Sequence, residues 1–435
     1  MSRDRPTIRL LADAGIEFFR SPRFVSALAT AEIGTGVLST AIERTIGAPG
    51  LIAIVSTLVV LAALSIAASR DLVRWQSLVP LSLLVFLFWA GLSIVWSQYQ
   101  WASLWGLLYL FAFSLLGLHI ALLRDTIQIV RAFGDVLRVV LVVSLVLEIF
   151  SGLLVDSPIR FLGIQGNLDQ GGPVQGLMGT RNQFALICLV AAVTFVTEFR
   201  TKSVGRWLGI GSLSLAGLGL LFARSPVMFG LFVATAAAAA ALYGIRRVPP
   251  ARRTLWQLVL LVLVLIALGI AWAVRTRAIA LLNTSGDFDY RLGLWKSIGD
   301  IAGLHTLEGW GWTGYWHVGL QPFTAFAVPG QRVPTSAVNA FVDVWLQLGL
   351  VGTAIFVGLV GLTFVRSWLL AGQRRSSVFA WPALVLVVLI VASLTESSIL
   401  VEWGWLTFVV CCVKAASELS WRRAFARPQL EPDPD

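Results

Sequence analysis

Long apolar blocks separated by short polar joints run along almost the whole chain. The blocks fall at residues 24–43, 49–68, 76–97, 102–122, 129–151, 183–199, 206–222, 226–243, 255–274, 337–364, 378–395 and 400–418. Each is about 17–25 residues long or slightly more, the length that crosses a bilayer as a helix. Backbone polar groups surrounded by lipid must be satisfied within their own segment, so blocks of this kind are helices. The pattern predicts an all-α polytopic membrane bundle of about twelve transmembrane helices. The first block is the least uniform: it holds Glu32 among several Thr and Gly residues and ends at Glu43 and Arg44. The alanine run from Ala236 to Ala241 reads as a face for close helix packing.

Two joints are longer than the rest. One covers roughly residues 152–182. The other, 275–336, is rich in aromatic side chains: Trp295, Trp310, Trp312, Tyr315, Trp316 and Phe323. Such density reads as ordered packing at a membrane interface. Leu292, Trp295, Ile298 with Gly299, and Ala302 have helical spacing, which predicts a short interfacial helix inside this joint. The chain therefore divides into a basic N-terminus (1–23), spans one to nine (24–274), a large partly helical loop (275–336), spans ten to twelve (337–418) and a polar tail (419–435).

Charge assigns direction to this frame. Only 13% of residues are charged and 57% are hydrophobic, with mean hydropathy +0.83. Soluble domains carry roughly 25% charged residues. A net charge of +10 would point to nucleic acid in a soluble protein. Here the cations are explained by alternate joints: Arg70 and Arg74; Arg124 and Arg131; Arg200, Lys202 and Arg206; Arg246, Arg247, Arg252 and Arg253; Arg366, Arg374 and Arg375; Arg422 and Arg423. Basic joints stay in the cytoplasm. The expectation is a multi-pass protein of the plasma or inner membrane with both termini cytoplasmic, the two long joints on the outer side, and no nucleic-acid partner. The Arg-rich first residues show no signal-peptide cleavage site. Cys188, Cys411 and Cys412 lie inside apolar blocks, so neither a disulfide framework nor a metal site is expected.

Basic residues on the outer side stand out against this rule. Arg224 sits in Phe222-Ala-Arg-Ser-Pro226, a tight turn between two spans. It either snorkels to lipid headgroups or faces a cavity and grips an anion bidentately. Arg291 begins an amphipathic stretch, Arg291-Leu-Gly-Leu-Trp295, and Arg181 with Asn182 opens the sixth span. Together these residues have the chemistry of a diphosphate clamp, which stabilises charge developing on a leaving group without a metal. No Asp/Glu cluster has metal-site spacing, and no phosphate-loop motif occurs in the Gly-rich stretch 163–179. Asp343, one turn beyond Asn339, is either a hydrogen-bonded structural group or a cavity residue. Glu396 and Glu402 read as solvated edges of the last outer joint.

Four stretches in order carry a family resemblance. They are Ser93-Ile-Val-Trp-Ser97; Gly176-Leu-Met-Gly-Thr-Arg-Asn182; Arg291-Leu-Gly-Leu-Trp295 with Glu308-Gly-Trp-Gly311; and the return into the membrane from Ser336 through Asn339 and Asp343 to Gly352. The chain resembles the O-antigen ligase family of polysaccharide ligases and polymerases. The resemblance implies a GT-C-like membrane glycosyltransferase that needs no metal or cofactor. Such an enzyme moves a glycan from an undecaprenyl-diphosphate carrier to a hydroxyl of a glycan or lipid acceptor. It implies Arg224 and Arg291 as diphosphate-binding residues; the reading of the outer cations adds Arg181, and Asn182, Trp295 and Asn339 are the expected cavity residues. The family has a histidine before the Asn of its last motif; this chain has Val338. His305, His317 and Asp343 remain as bases, with Asp343 and His317 favoured, unless arginine clamping alone suffices. Two other readings fit the same frame. A secondary transporter or flippase is expected to show internal repeats, and none is evident. A non-catalytic carrier-binding envelope protein is consistent with Val338.

Overall fold

The computed structural model describes residues 14–71, 80–166, 168–169, 171–281, 285–327 and 333–418. Its longer helices are α1 (Pro22–Ala68), α2 (Leu81–Leu92), α3 (Gln100–Leu123), α4 (Thr126–Ile149), α5 (Arg181–Thr201), α6 (Arg206–Ala223), α7 (Pro226–Arg247), α8 (Pro250–Leu281), α9 (Ser285–Ala302), α10 (Ala340–Gln373), α11 (Ala380–Ala392) and α12 (Glu402–Glu418). Among the described residues the only β-structure is a bridge between Ile159 and Ile164. Eight of the helices are long and apolar enough to cross a membrane; α2 and α11 are apolar but shorter. The protein is an all-α polytopic membrane protein.

The helix boundaries follow from the sequence with few exceptions. α1 is 47 residues long and bends at Gly47, two residues before Pro49. Proline removes a backbone donor and crowds the preceding turn, so one continuous helix becomes the two limbs expected at 24–43 and 49–68. α8 runs past the expected end at 274 to Leu281. The Arg and Ala residues there are strong helix formers. The loop expected from 275 thus opens as helix and then forms α9, the interfacial helix foreseen from its spacing. α5 and α11 are buried along most of their length and form the centre of the bundle, whereas α8 exposes apolar side chains on most sides.

The two ends of the bundle differ. At one end basic side chains cap helix-end carbonyls that lack helical donors. Arg246 donates to the Ala371 carbonyl (3.3 Å), Arg253 to Gly372 (2.9 Å), Lys414 to Arg124 (2.6 Å), and Arg124 to the Ser26 hydroxyl (3.1 Å). The other end gathers the irregular segments, including residues 303–327 and 333–339. Ionisable groups inside the helices are paired, as burial requires. Glu32 meets His119 at 2.9 Å with both side chains fully buried, and Arg138 bridges Glu198 and Asp135.

The feature that shapes the irregular end is a break in α10. Gly349 has φ 66° and ψ −170°, so the helix divides there. An unbroken helix would pair the carbonyls of Leu346, Gln347 and Leu348 with later amides of the same helix. Instead they accept from Trp310 N (3.0 Å), Gly311 N (2.8 Å) and the Trp89 indole (3.1 Å). The freed amides of Leu350 and Val351 donate to the carbonyls of Thr306 (2.9 Å) and Leu307 (3.3 Å). The loop segment thus replaces the missing helical bonds, and the buried backbone polar groups at the break stay satisfied.

A Cβ on residue 349 would lie 2.1 Å from the Leu307 carbonyl oxygen. Gly349→Ala is therefore expected to cost about 1–3 kcal/mol from left-handed backbone strain, and more from the clash. Gly361→Ala, further along α10 with open space around its Cβ, serves as the control. The expected result is a lower Tm and faster proteolysis between residues 303 and 339 for the first variant only. Equal behaviour of the two variants would contradict this account of the break.

Candidate functional site

A cavity of about 1210 Å³ opens at the irregular end. Its walls come from the end of the first limb of α1, the start of α5, one face of α9, the loop after residue 313, and the turn between α11 and α12. All three cations among its described lining residues are arginines: Arg44, Arg181 and Arg291. Thr180 caps α5, accepting from Gln183 N at 3.3 Å, so the first residues of that helix face the cavity with its positive dipole end.

Arg291 is held from three sides. Its guanidinium donates to the Val338 carbonyl (3.2 Å) and to the Thr395 carbonyl, and lies 3.7 Å from Glu396 Oε1. One turn along α9, the Trp295 indole donates to the Ala337 carbonyl (2.9 Å). Residues four apart lie on one helix face, so α9 grips residues 337–338 with both side chains. Asn182 extends the network: its Nδ2 donates to Glu396 Oε1 (2.9 Å), and its Oδ1 accepts from the Ser225 hydroxyl (2.8 Å). Arg44 reaches from α1 to the Leu162 carbonyl (2.8 Å).

Asp343 lines the cavity, but its carboxylate is committed. It accepts from the Trp316 indole (2.6 Å), Ala337 N (3.1 Å) and Gln347 Nε2 (3.2 Å). Trp316 in turn stacks on Phe323 and packs on Phe326 within a small core that includes Leu294, Ile298 and Leu346. Asp343 is thus the polar post on which the loop core is fixed to α10. Asn339 is the N-cap of that helix, accepting from Phe341 N (3.0 Å) and Val342 N (3.2 Å) and donating to the Leu394 carbonyl.

Other expected site residues lie elsewhere. Arg224 is exposed, ends α6 with a left-handed φ of 46°, and donates to the Gly171 carbonyl; it is not among the residues lining the cavity. The turn points its guanidinium to the neighbouring loop. His317 is exposed and also lies outside the lining. His305 hydrogen-bonds Glu308 (3.0 Å) and packs against Trp310; that bond holds the Glu308 carboxyl below its ordinary value. Val338 lines the cavity with φ 52°, an uncommon conformation for a β-branched residue.

Glu396 and Glu402 correct the sequence reading. Neither is a solvated edge: Glu402 is buried and accepts from the Tyr109 hydroxyl (3.0 Å), and Glu396 is largely enclosed. Both line the cavity. Their position on either side of a short turn between two apolar spans was the only available signal.

The commitment of Asp343 yields a prediction. Asp343→Ala leaves the buried Trp316 indole and Ala337 amide donors without acceptors, each costing about 1–3 kcal/mol. A large fall in Tm and faster proteolysis of residues 314–338 are expected. Loss of activity with unchanged Tm would instead identify Asp343 as a chemical group.

Comparison with known families adds one finding. No curated protein matches the chain. Residues 209–357, a third of its length, match the family model described as O-Antigen ligase. The matched stretch runs from α6 through Arg291, Val338, Asn339 and Asp343 and past the break at Gly349. It therefore covers the loop and the helix break that build one wall of the cavity, and over this third of its length the chain is similar to the O-antigen ligase family.

Proposed function

We propose that the chain transfers a glycan from an undecaprenyl-diphosphate carrier to an acceptor hydroxyl, and that the cavity holds the diphosphate. The observation that carries this reading is the convergence of Arg44, Arg181, Arg291 and the N-terminus of α5 on one cavity. Guanidinium groups bind phosphate oxygens through paired, fixed donors, whereas an ammonium is a point charge. As the glycosidic bond breaks, negative charge grows on the diphosphate, and preorganised donors lower the barrier by meeting it. The carbonyls of Val338 and Thr395 hold Arg291 in place beforehand. The positive charge that the lining residues bring to this cavity is that of arginine.

Binding of undecaprenyl diphosphate to purified protein tests the reading. Arg291→Ala and Arg181→Ala are each expected to weaken binding at least about tenfold, a loss of about 1.4 kcal/mol. Arg291→Lys is expected to weaken it also, because the fork is lost. No measurable affinity in the wild type would end the proposal.

The proposal also requires the cavity to face outward, as the basic joints at the opposite end imply. Gly319 is exposed beside the cavity loop, with open space around its Cβ. The native cysteines are all buried. A cysteine introduced by Gly319→Cys should react with an impermeant thiol reagent added outside intact cells. Reaction only after the inner face is exposed would reverse the topology.

A further inference from the structure

The cavity poses a chemical question that the family resemblance leaves open. Transfer to a hydroxyl is normally helped by a base, yet residue 338 is valine. Four carboxylates line the cavity: Asp289, Asp343, Glu396 and Glu402. Asp289 is exposed at the rim. Asp343 is tied to three framework donors that no substrate would displace. Glu402 is buried against the Tyr109 hydroxyl, a phenol fixed in α3.

Glu396 differs in the identity of its partners. Among its partners are Asn182, from which it accepts, and Arg291 at 3.7 Å, and these two are themselves cavity groups. That separation is an ion pair longer than a direct hydrogen bond. The same guanidinium donates to the Val338 carbonyl at 3.2 Å. One arginine side chain therefore spans the distance between Glu396 and the position where the family carries histidine. A diphosphate bound by Arg291 competes with Glu396 for the guanidinium. Sharing the guanidinium with an anion weakens its pairing with the carboxylate, which stays on the cavity wall.

We infer that Glu396 is the general base of the transfer reaction, filling from the turn between α11 and α12 the role that the resemblance gives to histidine at 338. The inference rests on the diphosphate-donor reading. The acceptor oxygen attacks the anomeric carbon and forms the new C–O bond. The bond from that carbon to the diphosphate oxygen breaks, and its electron pair leaves on the diphosphate, where Arg181 and Arg291 meet the charge. The acceptor proton passes to Glu396 and from there to the departing diphosphate or to water. Before substrate arrives, Glu396 is the counter-ion that keeps a buried guanidinium from standing unpaired.

Two measurements on the full-length protein test this. The first is binding of undecaprenyl diphosphate, which reads the arginine cavity alone. The second is the rate of glycan transfer in membranes of a strain lacking this chain, to which wild type or variant is restored, with the strain's own accumulated lipid-linked glycan as donor. Glu396→Gln is expected to bind undecaprenyl diphosphate at least as tightly as wild type, which also shows that it folds. Its transfer rate is expected to fall about 10²–10⁴-fold, with Glu396→Asp intermediate. Wild-type transfer by Glu396→Gln would overturn the inference and leave the donor reading intact. A parallel loss of binding and transfer would also overturn it, making Glu396 a positioning residue for Arg291. So would intact transfer in Glu396→Gln alongside its loss in Glu402→Gln. A wild type that binds no undecaprenyl diphosphate, in a strain whose glycans do not change when the chain is deleted, removes the donor reading and with it the role of Glu396. That outcome is seen before any variant is compared.

Discussion

A backbone surrounded by lipid has no water to bond with, and the break in α10 at Gly349 is tolerable only because a second segment supplies the missing partners. The amides of Trp310 and Gly311 and the carbonyls of Thr306 and Leu307 complete the interrupted ladder. This exchange fixes where residues 303–311 lie, and through them the loop that follows. It also leaves the first turns of α10 as a separate short helix. The cap of that helix, Asn339, and its buried Asp343 then set the position of residues 337–338. The wall that faces Arg291 descends from one peptide-level constraint.

The charged groups of the cavity wall are held by protein partners before anything binds. Arg291 is anchored by carbonyl dipoles and paired with Glu396; Arg44 rests on the Leu162 carbonyl. In a poorly solvated site such pairing is the condition for keeping charged groups at all. It also means that little reorganisation is needed when an anion arrives, because the donors are already oriented. Asp343 contributes to this rigidity by holding Trp316 and the loop core, a role set by hydrogen-bond count.

The helices were legible in the sequence because span length and apolar continuity are local properties. The two limbs of α1, the interfacial helix α9 and the gathering of basic joints at one end all follow from patterns within a few dozen residues. Arg181 and Arg291 were legible as cations where the charge rule disfavours them. Arg224 met the same criterion, yet its turn directs it onto Gly171. Glu396 and Glu402 read as edge charges because burial of a lone carboxylate depends on partners such as Asn182 and Tyr109, which lie hundreds of positions away. The break at Gly349 was hidden for a related reason: a glycine in an apolar run signals close packing as readily as an interruption, and the distinguishing contacts come from the loop before it.

The order in which the cavity wall appears along the chain carries a consequence for its synthesis. Arg44, Arg181 and Arg291 emerge from the ribosome in turn, while the Thr395 carbonyl and the Glu396 carboxylate that steady Arg291 arrive within the last tenth of the chain. Domains generally assemble from the N-terminus as they are made. Here nine-tenths of the polypeptide is in place before the site is complete. A nascent or truncated chain ending before α11 has most of a bundle and no finished cavity.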